Sequence, residues 1–191
     1  MPFDHFDFIA PFYERVIPPA IVSRLVELAG LPIAGRLLDA GGGTGRVAQA
    51  LRGQAAQVIV ADASAGMVRQ AAARDGLRAA LAHAERLPFP SASFERILMI
   101  DALHHVADQS QSAAEMWRVL TPGGRIVIGE PDIRRWPVKL IALAEKAALM
   151  RSHFLAPARI IDLFASAPAQ TTLIEEGLQA WIIVEKPALS P

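Results

Sequence analysis

Leu37-Leu-Asp-Ala-Gly-Gly-Gly-Thr-Gly-Arg46 is an apolar run ending in an acid, then a turn carrying four glycines, then a stretch that continues at helical spacing from Val47 to Leu51. A strand, a tight glycine turn and a helix N-terminus in that order let backbone approach a ligand closely and aim free N–H groups at it. Outward from this stretch the cycle repeats. Gln57-Val-Ile-Val-Ala61 reads as a second strand, with Ser64 as N-cap of a helix through Met67, Val68 and Ala71 to Arg74. Leu77 to Ala82 is a weaker third strand and Phe94 to Ile100 a fourth. A helix over Ala113 to Leu120 stops at Thr121-Pro-Gly-Gly124, and Arg125-Ile-Val-Ile-Gly129 is a fifth strand. Strands alternating with helices at this spacing predict right-handed βαβ units and a largely parallel, Rossmann-like doubly wound α/β sheet.

The two ends depart from the alternation. Residues 3–29 read as helical, with a break at Pro18-Pro19. After the fifth strand a stretch from Asp132 to Ala156 carries a helix from about Pro137, and a short helix follows from Pro157 to Ala165. Thr171 to Glu175 and Gln179 to Glu185, joined at Gly177, read as an antiparallel hairpin closing one edge of the sheet. The expectation is seven strands with an antiparallel last strand in one domain: a helical lid over 1–34, a core over 35–131, capping helices over 132–169 and the hairpin over 170–187.

Composition narrows the partners. The 191 residues carry 19 Lys+Arg against 19 Asp+Glu with no block of like charge, so nucleic acid is not an expected partner. No cysteine is present, which excludes disulfides, thiolate metal sites and thiol chemistry. Mean hydropathy is +0.30. The most apolar helical stretch, Val138 to Met150, is interrupted by Lys139, Glu145 and Lys146, whereas a bilayer span needs about 20 mostly apolar residues. Met1 to Asp7 does not read as a secretory signal, and the expected location is the cytoplasm.

A dinucleotide fingerprint starting at Gly41 and Gly43 needs a small residue at position 46, where Arg46 stands. The pattern D-x-G-x-G-x-G instead places an acid, Asp39, at the end of the first strand, suited to a ligand ammonium group. The second strand ends at Asp62, beside the glycine turn, where a carboxylate can accept two ribose hydroxyls. Together these residues describe a nucleoside carrying an amino acid.

Leu37 to Arg46, Ala61-Asp62, Ala84-Glu-Arg-Leu-Pro-Phe-Pro90, Ser93-Phe94, Ala102-Leu-His-His-Val106 and Glu115 to Arg125 resemble, in order, the class I S-adenosylmethionine-dependent methyltransferases of the ubiquinone/menaquinone type. The resemblance covers residues 37–131, roughly half the chain. It implies S-adenosylmethionine as cofactor and S-adenosylhomocysteine as product. It implies that Ala40, Gly41, Gly42, Gly43 and Gly45 pack on the methionine part and ribose, and that Asp39 lies near the ammonium group. By the same likeness Asp62 binds the ribose, Ala63 and Met67 flank the adenine, and Met99 completes the lining. The family's adenine contact is an acid; here His83 stands in its place, followed by Ala84 and Glu85, so an imidazole nitrogen or the Glu85 carboxylate takes that hydrogen bond. Tyr13 matches a lid tyrosine. Leu87-Pro88-Phe89-Pro90 reads as a rigid turn.

Methyl transfer to an O or N acceptor needs a proton acceptor, and His104 and His105, just past the fourth strand, are the candidates. The helix from Pro137 to Met150 is core-facing by default through Leu140, Ile141, Leu143 and Ala144, and with Trp136 and Phe154 at its flanks it is also placed to roof an apolar acceptor. Arg134, Arg135, Lys139 and Arg151 favour an acidic head group or a membrane surface. The expected partner is a small-molecule acceptor, with the chain a monomer or homodimer. The alternative is a cofactor-binding regulatory subunit without catalysis; an NAD-dependent oxidoreductase is the third reading.

Overall fold

The structure, a computed structural model, describes residues 18–147 and 152–189. Chain order is α1 (Pro19–Ala29), β1 (Arg36–Ala40), α2 (Arg46–Ala50), β2 (Gln57–Asp62), α3 (Ala65–Ala72), β3 (Leu77–Leu81), β4 (Phe94–Ile100), α4 (Gln109–Val119), β5 (Leu120–Pro131), α5 (Trp136–Ala147), α6 (Pro157–Asp162), β6 (Gln170–Glu176) and β7 (Gln179–Glu185). The strands form one seven-stranded sheet in the order β3-β2-β1-β4-β5-β7-β6. The first five pair in parallel, while β7 runs antiparallel to both β5 and β6.

Period-2 alternation sorts the apolar runs between two faces. Leu37, Val58, Val60, Leu98 and Val127 point to one side, where α1, α2 and α3 cover them with Leu25, Leu28, Ala48, Leu51 and Ala71. Leu38, Ile59, Ile97, Met99, Ile126 and Ile128 point to the other, against Met116 and Val119 of α4 and Ile160 of α6. Strands buried on both faces require this double cover, which is where the chain's apolar excess goes.

The ends of the elements differ in detail from the expectation. The helix read over Ala113 to Leu120 begins at Gln109, because Asp108 caps it by accepting from the Gln111 N–H at 2.9 Å. It ends at Val119, and the Thr121-Pro-Gly-Gly124 stop signal falls inside a longer β5, opposite a register shift between Phe94 and Arg96. Ser64 caps α3 as expected, accepting from Met67 N at 3.2 Å. Of the helical lid only α1 lies among the described residues; Tyr13 and Arg151 lie outside them. The helix after β5 corrects the core-facing reading: Val138 is buried, but Trp136, Leu140, Ile141 and Leu143 are 71%, 55%, 47% and 63% exposed.

This topology has a switch point. From β1 the chain moves out to β2 and β3, then returns to the other side of β1 as β4. The loops leaving the carboxyl ends of β1 and β4 therefore diverge around a crevice, the usual ligand position in an open α/β sheet.

Candidate cofactor site and its histidine pair

The glycine loop is fastened on both sides. Gly41 N donates to Ala61 O at 2.7 Å, which ties the end of β1 to β2. Gly41 adopts φ +70°, and a Cβ built there would lie 2.7 Å from Ala102 Cβ, so glycine lets the loops after β1 and β4 touch. At Gly43 the situation differs: φ is +55°, yet among the described residues a Cβ would meet only Met67 Sδ within 4 Å, at 3.8 Å. The described residues do not fill the space beside that backbone, which suits the approach of a ligand.

Asp62 joins the two halves of the crevice. Its Oδ2 accepts from Gly43 N at 2.9 Å and its Oδ1 from Ser64 N at 2.9 Å. The carboxylate is thus oriented by one amide of the glycine loop and one of its own loop. Ala63 is exposed beside it and Met67 is buried beneath. Ala82 N donates to Asp62 O at 2.9 Å, bringing the turn that carries His83 and Ala84 alongside; the His83 side chain is exposed.

Asp39 lies under the loop, 1% exposed, with its Cγ and Oδ2 both 2.6 Å from where a Gly42 Cβ would sit. The Ala48 amide bonds to it, but among the described residues Oδ2 is buried with no hydrogen-bond partner. Burial above all, with the Asp62 charge adding to it, pushes its pKa up to about 7. The folded protein then holds a proton that the unfolded chain releases near pH 4, so this group costs stability as pH rises from about 4 to about 7. Asp39→Asn removes that cost. We expect thermal unfolding of the ligand-free variant to match the parent near pH 4 and to exceed it at pH 8, by on the order of 4 kcal/mol at most; an equal gap at both pH values would overturn this.

Other residues singled out from sequence take supporting places. Met99 and Ala40 have no exposed surface, so they back the strand ends and do not line the crevice. Glu85 Oε1 accepts from Ala107 N at 3.1 Å and Asp108 N at 3.2 Å, which engages it at the start of α4. The Leu87-Pro88-Phe89 turn is clamped by α4: Leu87 N donates to Glu115 Oε2 at 2.8 Å, and Arg118 donates to Phe89 O at 2.8 Å and Leu87 O at 3.1 Å. The Arg118 guanidinium holds the Glu115 carboxyl below its usual range. Arg134 and Arg135 pair with Asp132 and Glu175, so their charge is already partnered.

His104 and His105 occupy a 3-10 turn, Leu103–His105, directly after β4. His104 is 4% exposed, and its Nδ1 lies 2.6 Å from Glu130 Oε2. Since an ionised carboxylate only accepts, Nδ1 carries a proton, and Nε2 is the unprotonated nitrogen whenever the ring is neutral. Glu130 Oε1 accepts from Ala102 N at 3.0 Å and Leu103 N at 2.8 Å. Burial lowers the His104 pKa, but the Glu130 hydrogen bond and charge outweigh it and hold the group above its ordinary value. His105, buried and beside His104, is pushed down to about 4. The segment after α5 straps over the pair: His153 N donates to His104 O at 2.6 Å, and Phe154 stacks on His104 at 4.2 Å between ring centroids. Glu130 was not among the residues singled out from sequence; an acid closing an otherwise apolar strand, Ile126-Val-Ile-Gly-Glu130, was the available signal.

A cleft of about 880 Å³ opens between α4 and α6, lined by residues that include Trp117, Leu155 and Phe164 and none of the glycine-loop residues. It is a different place from the crevice at Asp62.

Comparison with known proteins agrees with this geometry. Residues 38–128 match a methyltransferase domain family. The chain is 33% identical over 155 residues to a demethylmenaquinone methyltransferase of Clavibacter sepedonicus, covering 78% of this chain and 61% of that protein. It is 35% identical over 156 residues to the protein of the same name from Mycolicibacterium vanbaalenii, covering 81% and 65% respectively. This chain thus spans less than two thirds of the length of either relative. Among solved structures, an S-adenosylmethionine-dependent methyltransferase from Thermotoga maritima superposes with a TM-score of 0.75 at 23% identity, over 95% of this chain and 97% of that one, which is a likeness of fold.

Proposed function

Because the chain belongs to the class I S-adenosylmethionine-dependent methyltransferase family, we propose that it moves the methyl group of S-adenosylmethionine to a small, hydrophobic acceptor. The observation that carries this reading is the Asp62 carboxylate pinned between the amides of Gly43 and Ser64, near a glycine backbone and the Oδ2 of Asp39 that, among the described residues, are respectively unpacked and without a hydrogen-bond partner. These residues suit a ribose, a closely approaching chain and an ammonium group respectively. When bound, S-adenosylmethionine supplies an activated methyl group on a sulfonium. The residues of this chain supply the rest: the glycine loop and Asp62 fix position, Asp39 places beneath the loop a carboxyl that can give up its proton to meet an ammonium group directly or through water, and the 82–85 turn borders the adenine end through His83 and Ala84.

The acceptor side is the histidine turn, joined to the glycine loop through Ala102. His104 and His105 are the groups there that can take a proton from an O or N acceptor. An apolar acceptor is favoured by the exposed Trp136, Leu140, Ile141 and Leu143 of the neighbouring α5. The two relatives are named demethylmenaquinone methyltransferases, and an acceptor of that kind is consistent with this reading.

Titration calorimetry with S-adenosylmethionine, S-adenosylhomocysteine and NAD, followed by labelled-methyl transfer to lipophilic phenols and to small polar amines, tests the proposal. The expected result is binding of the first two ligands, none of NAD, and label in the phenols. Binding without transfer to either class would favour a regulatory subunit, and transfer to polar amines alone would overturn the acceptor assignment.

A further inference from the structure

His104, His105 and Glu145 each bring a ligand-type atom to one place, all within 4.8 Å of one another. They come from two separate elements, the turn after β4 and the last turn of α5, so no local motif joins all three. Three features distinguish this cluster from a chance meeting of polar groups. Among the described residues Glu145 Oε2 is buried with no hydrogen-bond partner, and a carboxylate oxygen removed from water without a donor is costly unless a cation serves it. Glu130 binds Nδ1 of His104 and so presents the other nitrogen, the carboxylate–histidine arrangement that orients metal-binding imidazoles. His104, the buried member, is also fixed in place by the Phe154 ring stacked on it and the His153 amide on its carbonyl, while His105 and Glu145 are half-buried.

We propose that His104, His105 and Glu145 bind one divalent transition-metal ion, with Glu130 as the residue that positions His104. Charge supports the match: two neutral imidazoles with the Glu145 and Glu130 carboxylates balance a dication. Donor type narrows the ion. Two imidazoles and one carboxylate, with no thiolate in the chain, suit Zn²⁺, Fe²⁺ or Mn²⁺ better than Ca²⁺, which prefers all-oxygen shells. Tetrahedral ligation at about 2.1 Å sets ligand atoms about 3.4 Å apart, so the side chains draw in by about 1 Å on binding. Three protein ligands leave a coordination position open. An imidazole that ligates the ion cannot also accept a proton, so in the proposed methyl transfer, and resting on that reading, the open position would replace the histidines as the group that holds an acceptor oxygen and makes it more acidic.

The test uses the full chain, stripped with a chelator and freed of any affinity tag, titrated with Zn²⁺ by calorimetry and with Co²⁺ by visible absorption. One ion per chain is expected, with a Co²⁺ spectrum of nitrogen and oxygen ligation. Glu145→Gln and His105→Ala are expected to weaken binding by about 100-fold or more and Glu130→Gln by about 10 to 100-fold with an altered Co²⁺ spectrum, while His153→Ala, whose ring is outside the cluster, binds as the parent does. His104→Ala is a poorer probe, because it leaves Glu130 buried without its partner. No ion, or the same affinity in Glu145→Gln and His105→Ala, overturns the site. S-adenosylmethionine binding measured on the same samples separates the readings: loss of the metal site with cofactor binding intact leaves the methyltransferase proposal standing, and the reverse result leaves the metal site standing.

Discussion

Asp62→Ala is expected to lower the affinity for S-adenosylmethionine by about 10 to 100-fold, from the loss of charge-assisted hydrogen bonds worth about 1.5–3 kcal/mol. The geometry adds a second effect. The Asp62 carboxylate is also the acceptor for Gly43 N and Ser64 N, so alanine frees two loop amides and should lower ligand-free stability by about 1–3 kcal/mol. Asp62→Asn keeps a single acceptor oxygen and is expected to fall between alanine and the parent on both measures. Calorimetry reads the first effect and thermal unfolding without ligand the second. Unchanged affinity in Asp62→Ala would remove the residue from the site, whatever happens to stability.

The second large effect belongs to Glu130. This side chain is 3% exposed and serves three donors, the amides of Ala102 and Leu103 and Nδ1 of His104. Glu130→Ala strands all three donors in the interior, and at about 1–3 kcal/mol for each buried donor left unsatisfied the loss is about 3 kcal/mol or more. Against a total stability of about 5–15 kcal/mol, this brings the fold near its limit. Glu130→Gln keeps an oxygen that can accept from the amides, and its cost should be clearly smaller. Chemical denaturation of both variants checks the order; a cost below about 1 kcal/mol for alanine would show that water replaces the carboxylate and that the interior picture of this pair is wrong.

What was legible in the sequence followed the range of the interactions. The turn at Gly41 to Gly45, the Ser64 cap and the hairpin at Gly177 rest on residues within a few positions of one another, and each stands where the sequence pattern put it. Glu130 was hidden because its meaning lies 26 to 28 positions back along the chain. Glu145 was hidden for a similar reason: on a helix it reads as one more charge interrupting an apolar stretch. Met99 misled because β4 is covered on both faces, so alternation along it separates two interiors and gives no hint of a wall facing ligand. The apolar residues of α5 misled in the opposite sense, since a hydrophobic stripe implies a covered face, and among the described residues Trp136 and Leu143 remain largely exposed.

The place of β7 between β5 and β6 also bears on biosynthesis. β6 emerges from the ribosome first, yet it has no strand to join until β7 has followed it. Throughout the making of the residues between Pro131 and Gln179, the outer edge of β5, with Ile126, Val127 and Ile128, offers unpaired amides and carbonyls beside a hydrophobic surface. Such an edge recruits foreign strands readily. Translational pausing in this interval should therefore promote aggregation of the nascent chain more than pausing before Leu120 does, and a chaperone that shields β5 would be needed most in that window.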